Sequence, residues 1–181
     1  MRILYLLLSV TLLLPGCAST PNWELEHLAI DKSVDLRSWQ LLSYDNFKNN
    51  GGFARYYVPP GKNELKSWSE LITVSFLSSN KITIKEYLKA DENRMKVRCP
   101  GTRHQVIESD TYNVYYTNTY PPCGGRESQS EISRLIQGND GIHRLSYTVK
   151  GRELTSGEKE RWLTILRNSF IAKGEKHEKV R

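Results

Sequence analysis

The chain has 181 residues, of which 38% are hydrophobic, 25% are charged and 10% are aromatic. This length favours one domain, and the apolar content is enough for a core, which excludes a wholly disordered or fibrous chain. Lysine and arginine number 26 against 20 aspartates and glutamates, which gives a net charge of +6. The basic residues are spread along the chain, so their excess does not by itself indicate nucleic-acid binding.

The first residues have the pattern of an export signal. Arg2 gives a positive start, and residues 3–14 are apolar except for Ser9 and Thr11. A helix of this length spans about 18 Å, against about 30 Å for the hydrocarbon core of a membrane. The run therefore predicts the hydrophobic region of a signal peptide over residues 1–16 rather than a membrane-spanning helix.

The apolar run ends in the tetrapeptide Leu-Pro-Gly-Cys, whose last residue is Cys17. This tetrapeptide resembles the lipobox of bacterial lipoprotein precursors. The resemblance implies that residues 1–16 are cleaved and that Cys17 is acylated, so that membrane lipid holds the mature chain. Ala18 stands where that family places an aspartate for inner-membrane retention, which implies the outer membrane, on its periplasmic side. An ordinary secretory signal is the alternative.

The two other cysteines predict a disulfide, because lipidation would use Cys17. Cys99 and Cys123 form an even pair, as an oxidising periplasm favours, and both lie beside turn-forming residues. A disulfide that closes a loop of about 24 residues raises the free energy of unfolding by about 3 kcal/mol in the chain-entropy model. The alternative makes Cys99 a nucleophile with His104 as its base, but no activating helix start precedes this cysteine.

The chain is predicted to divide into three parts after the signal peptide. Residues 17–50 are predicted to be a lipid-anchored leader and spacer, with one short strand or helix near 36–44 and a loop over 46–52. Residues 51–172 are predicted to be a single α+β periplasmic domain. Residues 173–181 alternate charges with almost no apolar content, which predicts a charged flexible tail.

Hydrophobic periodicity and local signals predict the elements of the domain. Alternating apolar residues indicate strands, and a threonine three residues before a glutamate, at Thr83 and at Thr155, indicates the start of a helix. Residues 138–141, Gly-Asn-Asp-Gly, predict a hairpin turn. In chain order, the predicted elements are strands at 53–58 and 71–77, a helix at 83–97, strands at 104–108, 112–119, 131–137 and 142–150, and a helix after Thr155.

Helices separated by runs of strands indicate an α+β fold, in which an antiparallel β-sheet carries two main helices. The last helix has one apolar face, which predicts core packing for Trp162, Ile165, Leu166 and Phe170. A helix after an alternating strand, with a terminal helix that closes the domain, resembles the Mog1/PsbP-like fold of periplasmic lipoproteins related to DcrB. That resemblance implies a fold and no catalytic site.

Motifs for catalysis or metal binding do not stand out in the sequence. The histidines do not have the spacing of a metal site, and no serine has the setting of a nucleophile elbow. We therefore predict no enzymatic activity, no metal and no cofactor. A hydrolase ranks third among the functional classes, behind two that depend on binding.

The most distinctive surface candidate is a tyrosine-rich strand. Tyr112, Val114 and Tyr116 share one face of this strand, so Tyr115 is predicted to point outward on the other face. Tyr120 is predicted to lie at a loop tip. Tyrosine buries a large area at interfaces, so Tyr115 and Tyr120 are the candidate partner-binding residues. Cross-strand packing within the sheet is the alternative.

The sequence supports two classes of function. The first is a membrane-anchored accessory or structural subunit of a cell-envelope assembly, such as a secretion or conjugation core complex. It would have envelope proteins as partners, and no nucleic acid. The second is a periplasmic lipoprotein that binds a ligand, glycan or peptide in a pocket lined by aromatic residues. Basic residues around Cys99 predict either a site for anionic headgroups or a solvated helix face: Arg94, Lys96, Arg98 and Arg103.

Overall fold

The computed structural model describes residues 26–47, 51–61, 67–78 and 81–173. The α-helices are α1 (Ile84–Arg98) and α2 (Ser156–Asn168). The strands are β1 (His27–Ala29), β2 (Gln40–Phe47), β3 (Gly52–Val58), β4 (Glu70–Leu77), β5 (Arg103–Ser109), β6 (Asn113–Tyr120), β7 (Gln129–Gln137), β8 (Ile142–Lys150) and β9 (Phe170–Ala172).

Seven strands form one sheet in the order β2-β3-β4-β8-β7-β6-β5, and every pair in it is antiparallel. Strands β1 and β9 form a second, two-stranded antiparallel sheet. The large sheet and its two helices confirm the predicted α+β class. No helix within the described ranges is long and apolar enough to cross a membrane.

Both helices begin at the predicted capping boxes. The Thr83 hydroxyl accepts a hydrogen bond from the Glu86 amide at 3.3 Å, and the Glu86 carboxylate accepts one from the Thr83 amide at 2.9 Å. Thr155 and Glu158 repeat this exchange at the start of α2, at 3.2 and 2.8 Å. Such caps stabilise a helix by about 1 kcal/mol each, which fixes where the two helices start.

Helix α2 covers one face of the large sheet, which we call the α2 face. Its buried residues Trp162, Ile165 and Leu166 pack on β4, β7 and β8 in the main hydrophobic core. The Trp162 ring stacks on Tyr147, with ring centroids 4.3 Å apart and an interplanar angle of 11°. The prediction of core packing is confirmed for these three helix residues.

Phe170 does not share that packing. It begins β9, where it pairs with Ala29, and it is 59% exposed. The prediction that it continues the apolar stripe of α2 is wrong, because the helix ends at Asn168 and the extended backbone turns the next side chains in other directions.

The folded unit begins before the predicted boundary at residue 51. Strand β2 occupies residues predicted to be part of the leader, and it forms one edge of the large sheet beside β3. Strand β1 pairs with β9 at the other end of the described chain. The large sheet therefore includes residues predicted to belong to the leader, and β2 extends to Phe47, within the loop predicted over 46–52.

Helix α1 lies over the opposite face, which we call the α1 face. Ile84, at its first turn, packs in a small core cluster with Val114, Leu135 and Ile142 of the sheet. Within α1, only Ile84 and Asp91 are buried. The helix therefore touches the sheet closely near its start and leaves space beneath its later turns.

Three predictions fall outside the described residues. These are the signal peptide over residues 1–16, the acylation of Cys17 and, apart from Lys173, the charged tail over residues 173–181. They stay predictions from the sequence.

Candidate functional site

Neither predicted partner-binding tyrosine is fully exposed: Tyr115 is buried and Tyr120 is half-buried. Tyr115 is 7% exposed and belongs to the core of the α2 face, where the Arg134 guanidinium lies 5.0 Å from its ring centroid. Burial raises the pKa of its hydroxyl. The prediction that Tyr115 points outward is wrong, because β6 is an inner strand and its second face is also covered.

Tyr120 is not at a loop tip. It is the last residue of β6, and its hydroxyl lies 2.8 Å from the Met95 sulfur of α1. Burial raises the pKa of this hydroxyl as well. Tyr120 therefore supports the later turns of α1 from below, and the prediction that it lies at a loop tip is wrong.

Cys99 and Cys123 form a disulfide, with their Cα atoms 5.6 Å apart, which confirms the predicted pair. Cys99 is the residue that follows α1, and Cys123 lies in the turn after β6. The bond therefore ties the C-terminal end of α1 to the large sheet. Cys99 has no free thiol in this form, so the alternative of a Cys99 nucleophile is not supported.

A cleft with a volume of about 640 Å³ lies between α1 and the α1 face of the sheet. We call it the α1 cleft, and define it by the helix residues that line it: Tyr87, Ala90, Asp91, Arg94, Met95 and Arg98. The helix is held at its start by the Ile84 cluster and at its end by the disulfide. Its polar middle turns supply no apolar stripe, so the space beneath them stays open.

Glu131 of β7 forms the centre of a polar network in the wall of this cleft. Its Oε1 atom accepts hydrogen bonds from Arg144 at 2.6 Å, Ser133 at 2.7 Å and Asn118 at 3.2 Å. Its Oε2 atom accepts one from Thr148 at 3.4 Å. These four donors come from three strands, β6, β7 and β8, that alternate their side chains onto one face. They compensate the burial of the Glu131 charge.

Arg144 of β8 stays charged beside this carboxylate. Burial alone lowers the pKa of its guanidinium, but attraction to Glu131, together with weaker attraction to Tyr116, Tyr87 and Asp91, outweighs burial and raises the pKa. One terminal nitrogen of Arg144 bonds Glu131, while its Nε atom is buried and has no partner within the described residues. Arg144 therefore keeps an unused hydrogen-bond donor in the lining of the α1 cleft.

His104 of β5 continues the network away from the cleft. Its Nδ1 atom lies 2.7 Å from the Asn118 side-chain oxygen. Because the Asn118 amide nitrogen donates to Glu131, that oxygen is an acceptor, and His104 Nδ1 must donate to it. The histidine thus fixes the orientation of Asn118 rather than facing a nucleophile.

Buried polar atoms without a partner are concentrated on the α1 side of the sheet. Such atoms cost about 1–3 kcal/mol each and are rare in native proteins, and water or a ligand usually satisfies them. Asp91 and Arg144 carry the two that belong to cleft-lining residues. Asp91 is 7% exposed, and its Oδ1 atom bonds Arg94 at 2.5 Å while Oδ2 is unpartnered. In the described chain, the others on this side are His104 Nε2, Tyr116 Oη and Ser146 Oγ.

The α1 cleft has an apolar end and a polar end. Leu77 and Ile142, which pair in the sheet, line it near the start of α1. Gln129 and Tyr120, which also pair, line it near the end of α1, together with Arg98. A ligand in the cleft therefore meets two different chemical environments along its length.

Sequence reasoning missed this network. Polar residues alternate with apolar ones in β7 and β8, as at Glu131 and Ser133 or at Arg144 and Ser146, and such alternation is typical of a strand with one solvated face. The signal that could have revealed the cleft is the predicted pair of helices, because helices on both faces of a sheet bury its polar face as well.

No protein-family model matches the chain, and no curated protein sequence matches it. The chain is similar to a solved structure of a point mutant of protein Mog1, with 14% identity, a TM-score of 0.43, and coverage of 65% of this chain and 78% of that one. It is also similar to the Ran-binding protein Mog1p of Saccharomyces cerevisiae, with 11% identity, a TM-score of 0.41, and coverage of 74% and 96%.

These structural neighbours are Mog1 proteins, in agreement with the Mog1/PsbP-like resemblance of the sequence.

Proposed function

We propose that this protein is a lipoprotein, anchored by Cys17 in the outer membrane and facing the periplasm, that binds a small ligand in the α1 cleft. The pattern of residues 1–17 supports the anchor. One observation carries the binding function. A cleft of about 640 Å³ is lined by Asp91 and Arg144, whose buried atoms Asp91 Oδ2 and Arg144 Nε have no partner among the described residues. Ligand sites are typically clefts of this size with a few convergent polar groups.

The energetics of the cleft favour binding over a structural role. A buried ion pair such as that of Glu131 and Arg144 contributes little to stability, and apolar residues of similar volume often replace such pairs at no loss. Each unpartnered polar atom costs a further amount of about 1–3 kcal/mol. An arrangement that lowers stability at one cleft is typical of a site that is completed by another molecule.

The same contacts favour recognition rather than catalysis. The hydrogen bonds to Glu131 occupy both of its oxygen atoms, so this carboxylate is poorly placed to take a proton from a substrate. His104 donates within the network, to Asn118. We therefore propose that the network holds Arg144 in position to bind a ligand.

A blocked cleft tests this function. Ala90 lines the cleft from α1 and is exposed, so Ala90→Trp fills the space without disturbing the core. Lys89→Trp places the same side chain at the next position of α1, which is also exposed and does not line the cleft. Protein purified from membranes, then denatured and extracted, should release a small molecule detected by mass spectrometry. The molecule should accompany the wild type and Lys89→Trp but not Ala90→Trp, and its equal presence in all three would refute binding in the cleft.

A second candidate function is that of an accessory subunit of an envelope assembly. The observation that favours it is the exposure of apolar side chains on both edge strands of the large sheet. Leu41 is 51% exposed and Tyr44 is 49% exposed on β2, and Val106 and Ile107 are exposed on β5. Exposed sheet edges are common sites of protein association.

Co-purification in mild detergent tests the second candidate. Tyr44→Ser should weaken recovery of a stoichiometric partner, whereas Val97→Ser, which removes an exposed apolar residue from α1, should not. A chain that is recovered alone, with wild-type sequence and at native abundance, would contradict the role of an assembly subunit.

A further inference from the structure

The ionic side chains that line the α1 cleft leave one positive charge unmatched. Asp91 pairs with Arg94 at 2.5 Å, and Glu131 pairs with Arg144 at 2.6 Å. Arg98, which also lines the cleft, is exposed and has no ion pair among the described residues. The charge balance therefore favours a ligand with a single negative charge.

Arg98 determines where that charge would bind. It is the last residue of α1, at the polar end of the cleft. The C-terminal end of a helix carries a partial negative charge, which works against an anion. The attraction must therefore come from the Arg98 side chain, and a carboxylate suits it because a guanidinium can donate two parallel hydrogen bonds to one.

The middle of the cleft requires both a donor and an acceptor from the ligand. Asp91 Oδ2 can only accept a hydrogen bond when the carboxylate is charged, and Arg144 Nε can only donate one. A secondary amide satisfies both needs, because its N–H donates and its carbonyl oxygen accepts. A hydrocarbon chain satisfies neither, so a simple fatty acid would leave both atoms unpartnered.

The apolar end selects against a sugar acid. Leu77, Ile142 and Phe47 line this end, and hydroxyl groups placed there would lose their hydrogen bonds to water. Thr148 lies six positions after Ile142 along β8, a distance of about 20 Å in a strand. An extended peptide of about six residues covers such a distance.

We infer that the ligand of the α1 cleft is a short peptide with a free C-terminal carboxylate at Arg98 and an apolar residue between Leu77 and Ile142. This inference rests on the proposed binding function and specifies its ligand class. The carboxylate supplies the single negative charge, the peptide amides satisfy Asp91 and Arg144, and the apolar side chain fills the apolar end.

Isothermal titration calorimetry on the full mature protein in detergent tests the inference. The probe is acetyl-Leu-Ala-Ala-Ala-Ala-Ala with a free carboxylate, compared with the same peptide as its C-terminal amide, with octanoate and with glucuronate. The free acid should bind at least about tenfold more tightly than the amide, because a hydrogen bond to a charged group contributes that much. Octanoate and glucuronate should bind more weakly than the free acid.

Two arginine variants locate the effect. Arg98→Gln should weaken binding of the free acid by about tenfold and remove its advantage over the amide. Arg161→Gln removes an exposed positive charge from α2, outside the cleft, and should leave binding unchanged. If Arg98→Gln has no effect, or acid and amide bind equally, the inference is wrong.

The outcomes separate this inference from the proposed function. If glucuronate or octanoate binds more tightly than the free-acid peptide, and Ala90→Trp abolishes that binding, the cleft is still a binding site but the inference of a peptide ligand is wrong. If none of the probes binds, the inference of a peptide ligand is also wrong. The proposed function is tested independently, by the small molecule that is recovered from the purified protein.

Discussion

Arg134 provides the sharpest prediction about stability, because it caps the C-terminal end of α2 from within the sheet. One terminal nitrogen of its guanidinium donates to the backbone carbonyls of Leu166 and Ser169, in the last turn and just beyond the helix. Its Nε and second terminal nitrogen donate to the Asn113 side-chain oxygen at 3.1 and 2.6 Å. The last carbonyls of a helix have no partner within the helix, so Arg134 supplies one.

Arg134→Met keeps the apolar length of the side chain and removes these donors. Two buried carbonyls then lose a partner, at about 1–3 kcal/mol each, so the free energy of unfolding should fall by about 2–6 kcal/mol. Urea unfolding followed by circular dichroism measures this change as a lower midpoint with an unchanged slope. Arg161→Met, at an exposed position on α2, is the matched control and should change stability by less than about 0.5 kcal/mol. A loss below about 1 kcal/mol for Arg134→Met would refute the capping role.

The remaining predictions concern the anchor, the disulfide and the acid dependence of stability. Intact-mass analysis should show loss of residues 1–16 and added lipid on Cys17, and an unmodified full-length chain would contradict the lipoprotein assignment. Replacing both Cys99 and Cys123 with serine should lower the free energy of unfolding by about 3 kcal/mol. The same change should speed amide hydrogen exchange in α1 more than in α2. An equal increase in the two helices would contradict the conclusion that the disulfide holds the end of α1 on the sheet. The Arg152 hydrogen bond lowers the pKa of Glu158 from 4.5 to about 2, so its stabilisation is present above about pH 4.5 and is lost as the pH falls toward 2. The free energy of unfolding from urea titrations should therefore change less between pH 7 and pH 3 for Glu158→Gln than for the wild type. An equal change in both proteins would contradict the stabilising role of the Arg152–Glu158 pair.

Elements with local signals could be predicted from the sequence. The boxes at Thr83 and Thr155 give the helix starts directly, because the hydrogen bonds that cap a helix join residues three apart. The turn at residues 138–141 gives the β7–β8 hairpin for the same reason. The disulfide followed from counting cysteines.

Features that depend on distant parts of the chain could not be predicted. Strand β1 exists because it pairs with β9, more than a hundred residues later, and nothing in its own sequence indicates this. Tyr115 shows a second limit. Alternation indicates which residues share a face of β6, but the covering helix α2 decides that this face is buried. The α1 cleft has the same origin, since the polar middle of α1 leaves open the space that the strands line.

The most direct test of the binding function is a crystal structure of the full mature protein purified from membranes. The account predicts electron density for a bound molecule in the α1 cleft, within hydrogen-bond distance of Asp91 Oδ2 and Arg144 Nε. A structure in which α1 closes onto the sheet and these two atoms bond only protein groups or water would contradict it.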